Sequence, residues 1–178
     1  MKFLKVLGII IAVLAIIILV GGLFLPKTYS VSRSTIVNAS DSTIYNNIAN
    51  FNEFLKWNPW YKMEPTAKTT ISGPVAQKDH LYEWVGKETG SGQMKIINVQ
   101  PNQMVDVELK FIEPFESLAN TKFEITSNGA NKKVTWSISG DNNLMGKWMG
   151  VFMSMDSMIG KDFEDGLKSL KIKSELGN

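Results

Sequence analysis

The sequence has 178 residues and a formal net charge of +2, from 19 lysines and arginines against 17 aspartates and glutamates. Lys2 and Lys5 precede the first acidic residue, so taking them from the 19 leaves 17 basic against 17 acidic side chains from Pro26 onward. A neutral domain argues against nucleic-acid binding, which needs a net basic face. The absence of cysteine excludes a thiol nucleophile, a cysteine-based metal site and a lipoprotein anchor.

The N-terminal segment is apolar and long enough to cross a bilayer. Residues 6–25 read VLGIIIAVLAIIILVGGLFL, without a charged or strongly polar side chain, and 20 helical residues span about 30 Å. Cleaved export signals have a shorter apolar region and a small-residue cleavage site, so we interpret residues 1–25 as an uncleaved transmembrane anchor and residues 26–178 as one domain. A short charged head before a single span favours a cytoplasmic N-terminus and a domain on the non-cytoplasmic side of the membrane.

The segment after the anchor predicts a strand and then short helices. Residues 26–28 are a link of about 10 Å, so we expect the domain to lie against the membrane surface. Residues 29–38 (YSVSRSTIVN) are rich in β-branched residues and predict a strand. Ser40 or Asp41 can cap the helix that follows, and residues 58–59 (Asn-Pro) end the helical region.

Alternation of apolar and polar residues then predicts about six further strands, most clearly at 105–111, 121–125 and 134–138. Residues 140–146 predict a loop. From about Trp148 the apolar period becomes helical and predicts one long amphipathic C-terminal helix. This order indicates an α+β fold, a curved antiparallel sheet of about seven strands wrapped around the long helix, with two short helices after the first strand.

Several stretches resemble one known superfamily. They are YSVSRSTIVNASDSTIYNNIANFNEFLKWNPW, YEWVGKETGSGQMKI, TKFEI, KKVTWSISG and MDSMIGKDFEDGLKSLK. In this order they resemble the START-like (SRPBCC) superfamily with the helix-grip fold, and most closely the bacterial polyketide cyclase/SRPBCC proteins, which often carry an N-terminal anchor. The resemblance extends from residue 29 to the C-terminus and implies an apolar ligand pocket between sheet and long helix. It supplies no catalytic residues, and Ser40-Asp41 stand where relatives usually have prolines.

Aromatic and methionine side chains are the candidate ligand contacts. Five of the nine methionines lie within residues 145–158, and methionine adapts to variable apolar partners, although ordinary core packing is the alternative. Aromatic residues on strands that face inward would narrow a cavity and offer polar groups. The predicted pocket residues are Trp60, Tyr61, Tyr82, Trp84, Phe111, Phe123, Trp136, Trp148, Met149, Phe152, Met155 and Arg33.

The stretch LKWNPWYKMEP at residues 55–65 concentrates aromatic surface around one proline. Trp57 lies near the end of the helical region, and we expect it in the core beneath the long helix. Trp60 and Tyr61 follow the proline, and the sequence leaves open whether they reach a cavity rim or the membrane interface, where such side chains are favourable.

Polar residues form no recognisable catalytic or metal-binding constellation, and we predict no cofactor and no metal site. His80 is the only histidine, and we expect it on the surface at the start of a strand. Arg33 is the only arginine and could either face the pocket, where it would bind an anionic head group, or lie outside near lipid phosphates. Asp156 is expected to be solvated. GKETGSG at residues 86–92 lacks the context of a phosphate-binding loop and predicts a hairpin turn.

The sequence favours a membrane-tethered module that binds a lipid or another hydrophobic small molecule. One alternative is an enzyme of the polyketide cyclase/dehydratase kind, in which a carboxylate, His80 or Arg33 would point into the cavity. Another is a membrane-associated protein-interaction domain, comparable to the co-chaperones of the same superfamily, with a filled interior and an exposed apolar patch.

Overall fold

The structure of the chain, a computed structural model, describes residues 2–176. Within these residues six helices and seven strands follow one another. They are α1 (Lys2–Phe24), β1 (Thr28–Val37), α2 (Asp41–Ala49), α3 (Phe51–Phe54), α4 (Pro59–Met63), β2 (Lys68–Ser72), β3 (Leu81–Val85), β4 (Ser91–Gln100), β5 (Met104–Glu113), β6 (Ser117–Asn128), β7 (Asn131–Asp141), α5 (Leu144–Phe152) and α6 (Met155–Leu176).

The seven strands form one antiparallel sheet in the order β1-β7-β6-β5-β4-β3-β2. Strands β2 to β7 are consecutive neighbours, and β1 closes the order by pairing with β7 from Thr28↔Asp141 to Val37↔Lys132. The long helix α6 covers the inner face of the sheet and packs mainly on β1. The predicted α+β fold, a curved sheet wrapped around a long C-terminal helix, is confirmed.

Strand alternation positions the core as the sequence predicts. On β6, Thr121, Phe123 and Ile125 are buried, whereas Lys122 and Glu124 between them are partly exposed. Because successive side chains of a strand point to opposite faces, each strand contributes one row of apolar residues to the space beneath α6. The core and any cavity therefore lie between these rows and α6.

Trp136 on β7 is the centre of the core. Its indole stacks on Phe123 of β6, with 4.9 Å between ring centroids, and on Phe163 of α6, with 4.1 Å. The indole N–H donates to Thr121 Oγ1 at 2.9 Å, so its one polar atom is satisfied. Trp57 meets the same indole edge-on at 5.6 Å and is 1% exposed. The predicted core position of Trp57 is confirmed.

The C-terminal helical region is two helices rather than one. Asn143 caps α5, its Oδ1 accepting from the backbone N–H of Gly146 at 2.8 Å, and the helix begins where the sequence predicts a loop. Ser154 interrupts the region, because its Oγ accepts from the backbone N–H of Ser157 and starts α6. Apolar spacing alone does not reveal this break.

Residues 58–59 begin a helix as well as ending one. Asn58 Oδ1 accepts from the backbone N–H of Trp60 at 3.0 Å, and Pro59 is the first residue of α4. Proline is favourable at the first helical position, where its missing N–H has no intrahelical acceptor. The short helices after β1 therefore continue past the proline, which turns Trp60 towards α6.

His80 is fully buried, so the predicted surface position is wrong. Its Nε2 accepts from the backbone N–H of Phe51 at 3.2 Å, and its Nδ1 lies 3.0 Å from the carbonyl of Ser72. The ring also stacks on Phe51 at 4.8 Å. These partners require the neutral tautomer with the proton on Nδ1, and burial lowers the pKa of His80. His80 thus caps the first turn of α3, where backbone N–H groups lack helical partners.

Part of the pH dependence of stability should therefore come from His80. Because the folded state favours the neutral ring, the unfolded state binds more protons once the pH falls below the usual pKa of 6.5. We expect the free energy of unfolding of the full chain in detergent micelles, measured by urea titration and tryptophan fluorescence, to fall as the pH is lowered below about 6.5. His80→Gln should lower it by about 1–3 kcal/mol above pH 7 and flatten the slope.

The control for this experiment is Lys78→Gln at an exposed position two residues away. It should change neither the free energy of unfolding nor its slope. A slope that is the same in His80→Gln and in the native chain would contradict the role assigned to His80.

Candidate functional site: a cavity between the sheet and the long helix

A cavity of about 390 Å³ lies between the inner face of the sheet and α6. Strands β3, β4 and β5 supply Trp84, Met94 and Phe111 to its wall, and α6 supplies Met155 and Ile159. Helix α4 closes one side. The lining is therefore mainly aromatic and aliphatic, which is the usual composition of a small-molecule site.

Seven of the twelve predicted pocket residues line this cavity. They are Trp60, Tyr61, Tyr82, Trp84, Phe111, Trp136 and Met155. Trp60 and Tyr61, for which the sequence leaves two locations open, both lie at the cavity, and Trp60 contacts Trp136 edge-on at 5.8 Å. Strand alternation correctly places the inward-facing aromatic residues of the sheet.

Phe123 lies behind the cavity and not on its wall. It stacks on Trp136 and meets Phe54 and Trp57 edge-on in the closed part of the core. The stack therefore separates Phe123 from the open space, although Phe123 faces inward as predicted.

Trp148, Met149 and Phe152 do not line the cavity, because α5 packs on α1 and not on the sheet. Trp148 Nε1 donates to the carbonyl of Ile18 at 3.0 Å. Met149 is 49% exposed and Phe152 is 87% exposed. Of the methionine cluster at 145–158, Met155 alone belongs to the cavity lining.

Arg33 joins β1 to α6 outside the cavity. Its Nη1 lies 2.8 Å from Asp156 Oδ1, and its Nε lies 2.7 Å from Glu164 Oε1. The guanidinium crosses α6 at Gly160, where a side chain would collide with it. Arg33 therefore neither faces the cavity nor remains available for a phosphate. Asp156 is exposed as expected, but it is paired, and the hydrogen bond from Arg33 lowers its pKa.

Tyr82 offers a polar group to the cavity. Its side chain is 5% exposed and lines the cavity. Burial, with a smaller contribution from Tyr61, raises the pKa of Tyr82 to about 12. The phenol is therefore neutral near pH 7 and can donate a hydrogen bond to a bound molecule.

Glu64 is a carboxylate of the cavity wall that sequence reasoning did not identify. It accepts from the backbone N–H groups of Lys87, Glu88 and Thr89 at 2.7, 3.1 and 2.9 Å, and from Thr89 Oγ1 at 2.8 Å. These hydrogen bonds, led by that from the Thr89 backbone, lower the pKa of Glu64 to about 2. The backbone amides of the GKETG turn thus bind an anion, and that anion is the Glu64 carboxylate of the same chain. Glu64 holds the β3–β4 turn against the end of α4.

Removing the charge of Glu64 should loosen this wall. In Glu64→Gln we expect the amides of residues 87–89 to exchange hydrogen about 10-fold faster or more, because a carboxamide cannot accept all their hydrogen bonds and local opening becomes easier. Hydrogen exchange with mass spectrometry at neutral pH measures this.

Glu83→Gln, at an exposed position on the neighbouring strand β3, is the matched control and should leave these amides unchanged. Equal exchange at residues 87–89 in the native chain and in Glu64→Gln would show that Glu64 does not hold the turn.

A second depression, of about 570 Å³, lies on the outer face of the sheet at the start of β1 and the end of β7. Thr28, Ser30 and Ser139 on its wall are exposed, so it is an open surface groove. The cavity beneath α6 encloses more aromatic surface and is the better candidate for a binding site.

The comparisons with known proteins address the fold. No family model matches the sequence, and no curated protein is similar to it. Solved structures match over 80% or more of this chain, with TM-scores above 0.5. The chain has the helix-grip fold.

Three of these helix-grip structures illustrate the likeness. The Aha1 dimer from Colwellia psychrerythraea has 18% identity and a TM-score of 0.59, covering 84% of this chain and 98% of that chain. Ginseng major latex-like protein 151 from Panax ginseng has 11% identity and a TM-score of 0.54, covering 85% of this chain and 98% of that chain. DynU16, of the dynemicin biosynthetic locus, has 11% identity and a TM-score of 0.59, covering 84% of this chain and 48% of that chain. At such identities the likeness establishes the helix-grip fold alone, and it is consistent with the superfamily that the sequence resembles.

Proposed function

We propose that this chain is a membrane-tethered module that binds a lipid or another hydrophobic small molecule between the sheet and α6. The observation that carries the proposal is the cavity of about 390 Å³. Close-packed protein interiors keep few voids larger than a water molecule, yet this cavity adjoins the tightly stacked core around Trp136. A space of this size, lined by aromatic side chains, suits an apolar occupant.

The charges around the cavity favour a neutral ligand. Glu64 lines it and stays ionised, and none of its described lining residues is basic. Arg33 is already paired with two carboxylates. A ligand carboxylate would therefore lose its hydration without gaining a cation. A hydroxyl or carbonyl group can instead share a hydrogen bond with Tyr82.

Tethering is supported by the N-terminal helix. Phe3–Phe24 is long and apolar enough to cross a membrane, a property that anchors and signal sequences share. Residues 25–27 alone separate α1 from β1, so an inserted α1 would hold the cavity close to the bilayer.

Binding fits Glu64 and Tyr82, two titratable groups of the cavity wall, better than proton transfer does. A general acid or base works best with a pKa near the operating pH. The pKa of Glu64 is near 2 and that of Tyr82 near 12, while His80 and Arg33 lie outside the cavity lining.

Filling part of the cavity should weaken binding. The probe is a neutral long-chain alcohol that carries a diazirine, added to the full chain in lipid nanodiscs and photoactivated. Ile159→Trp should reduce adducts on the cavity lining about 10-fold or more. The larger indole would exclude two or three CH₂ groups of the probe from the cavity, and each lost burial costs about 0.8 kcal/mol. Adducts on α1 report the probe dissolved in lipid and provide the internal reference.

The matched control is Ile172→Trp, which places the same side chain at an exposed position of α6. It should label like the native chain. Cavity labelling that persists in Ile159→Trp, or adducts that map only outside the cavity, would argue against the proposed site.

Tyr82→Phe should weaken binding of the alcohol and not of a hydroxyl-free analogue. One neutral hydrogen bond contributes about 0.5–1.5 kcal/mol, or about 3- to 10-fold in labelling. Tyr45→Phe is the control, because that hydroxyl donates to the carbonyl of Ala76 and does not line the cavity. Equal losses for the alcohol and for the diazirine alkane would mean that Tyr82 acts only through packing.

A further inference from the structure

Exposed apolar side chains cluster at one end of the domain. Two groups contribute, one around the β5–β6 turn and one at the end of α5. We call six of them the apolar rim: Ile112, Phe115, Leu118, Met149, Phe152 and Met153, with exposed fractions from 48% to 87%. Single exposed apolar residues need no explanation, but a cluster of this kind marks an interaction surface.

The topology brings the β5–β6 turn and the start of α5 to the end of the sheet from which α1 leaves. Thr28 begins β1 and pairs with Asp141 at the end of β7, and Gly140 pairs with Ala119 near the start of β6. Asn142 also donates its backbone N–H to the carbonyl of Lys27 in the link at 2.8 Å. The β5–β6 turn and the start of α5 therefore flank the point where α1 joins the domain.

Helix α5 packs directly on the last turns of α1. Trp148 Nε1 donates to the carbonyl of Ile18, and Lys147 Nζ donates to the carbonyl of Gly22, both at 3.0 Å. A Cβ atom at Gly21 would lie 2.8 Å from the Trp148 ring, so glycine permits this approach. Lys147 is the only charged residue of α5, and its amine is used in this contact.

These contacts fix the depth of α5 relative to the apolar segment. Ile18 precedes Leu25, the end of that segment, by seven residues, or about 10 Å along a helix. When residues 6–25 span the hydrocarbon core, Trp148 lies within its outer ~10 Å. An interfacial helix buries its apolar face to about this depth.

We propose that the apolar rim is a second membrane contact, inserted into the same leaflet as the C-terminal end of α1. The inference rests on the proposed tether. The occupant is lipid hydrocarbon, because the α5 part of the apolar rim packs beside α1, whose apolar window is only 6% buried. A protein partner would have to displace the lipid around α1 to reach the same surface.

The apolar rim also lies beside the cavity. Phe111 and Ser117 line the cavity, and Ile112 follows Phe111 in sequence, whereas Leu118 points to the opposite face of the sheet. Met155 lines the cavity two residues after Met153. The cavity lining and the apolar rim therefore approach each other along the chain at this end of the domain.

Fluorescence from single cysteines tests this, because the chain has no native cysteine. Phe152→Cys and Phe115→Cys carry an NBD label at exposed positions, and the full chain is reconstituted in phosphatidylcholine vesicles with doxyl-labelled lipids. Ile10→Cys in α1 reports the tether. Ser127→Cys, at the far end of β6, reports the aqueous side.

We expect the labels at 152 and 115 to be blue-shifted and quenched by doxyl lipids to an extent comparable with the label at 10, while the label at 127 emits as in water. Water-like emission at 152 and 115 with quenching at 10 would overturn the rim contact and leave the tether intact. Water-like emission at 10 as well would overturn the tether and this inference together. A blue shift at 152 without quenching would mean that protein, and not lipid, covers the apolar rim.

Discussion

The stack of Phe123, Trp136 and Phe163 divides the interior of this domain into two parts. Trp136 is held on both ring faces, and its N–H is bound by Thr121, so its position is fixed. Behind it, Trp57 and its neighbours fill the core. In front of it, the sheet and α6 diverge around open space. A closed core on one side of the stack allows the domain to tolerate a cavity on the other.

Arg33 and Glu64 are compensated within the chain. Arg33 bridges Asp156 and Glu164, and Glu64 is surrounded by amide donors of the β3–β4 turn. Both arrangements tie together the elements that bound the cavity, so these charges support the walls and are not available to a ligand. Tyr82 adds a neutral phenol to a lining without a basic side chain, and this combination favours uncharged apolar molecules.

Sequence patterns predict the features that depend on local periodicity. They fail where a partner that is distant in sequence determines the position of a side chain. Strand alternation places Tyr82 and Trp136 correctly, because a strand has only two faces. It cannot place His80, whose partner Phe51 is 29 residues away. Helical spacing around Trp148 and Phe152 indicates an apolar face but not what that face meets, and here α5 meets α1.

We expect an apolar molecule to occupy the space in front of Trp136. Crystals of the full chain grown with a bromine-terminated long-chain alcohol test it through the anomalous signal of the bromine. The expected result is a bromine peak between Trp60, Trp84 and Met155, with the hydroxyl group of the alcohol near Tyr82. Side chains that close this space, with bromine found only around α1, would contradict it.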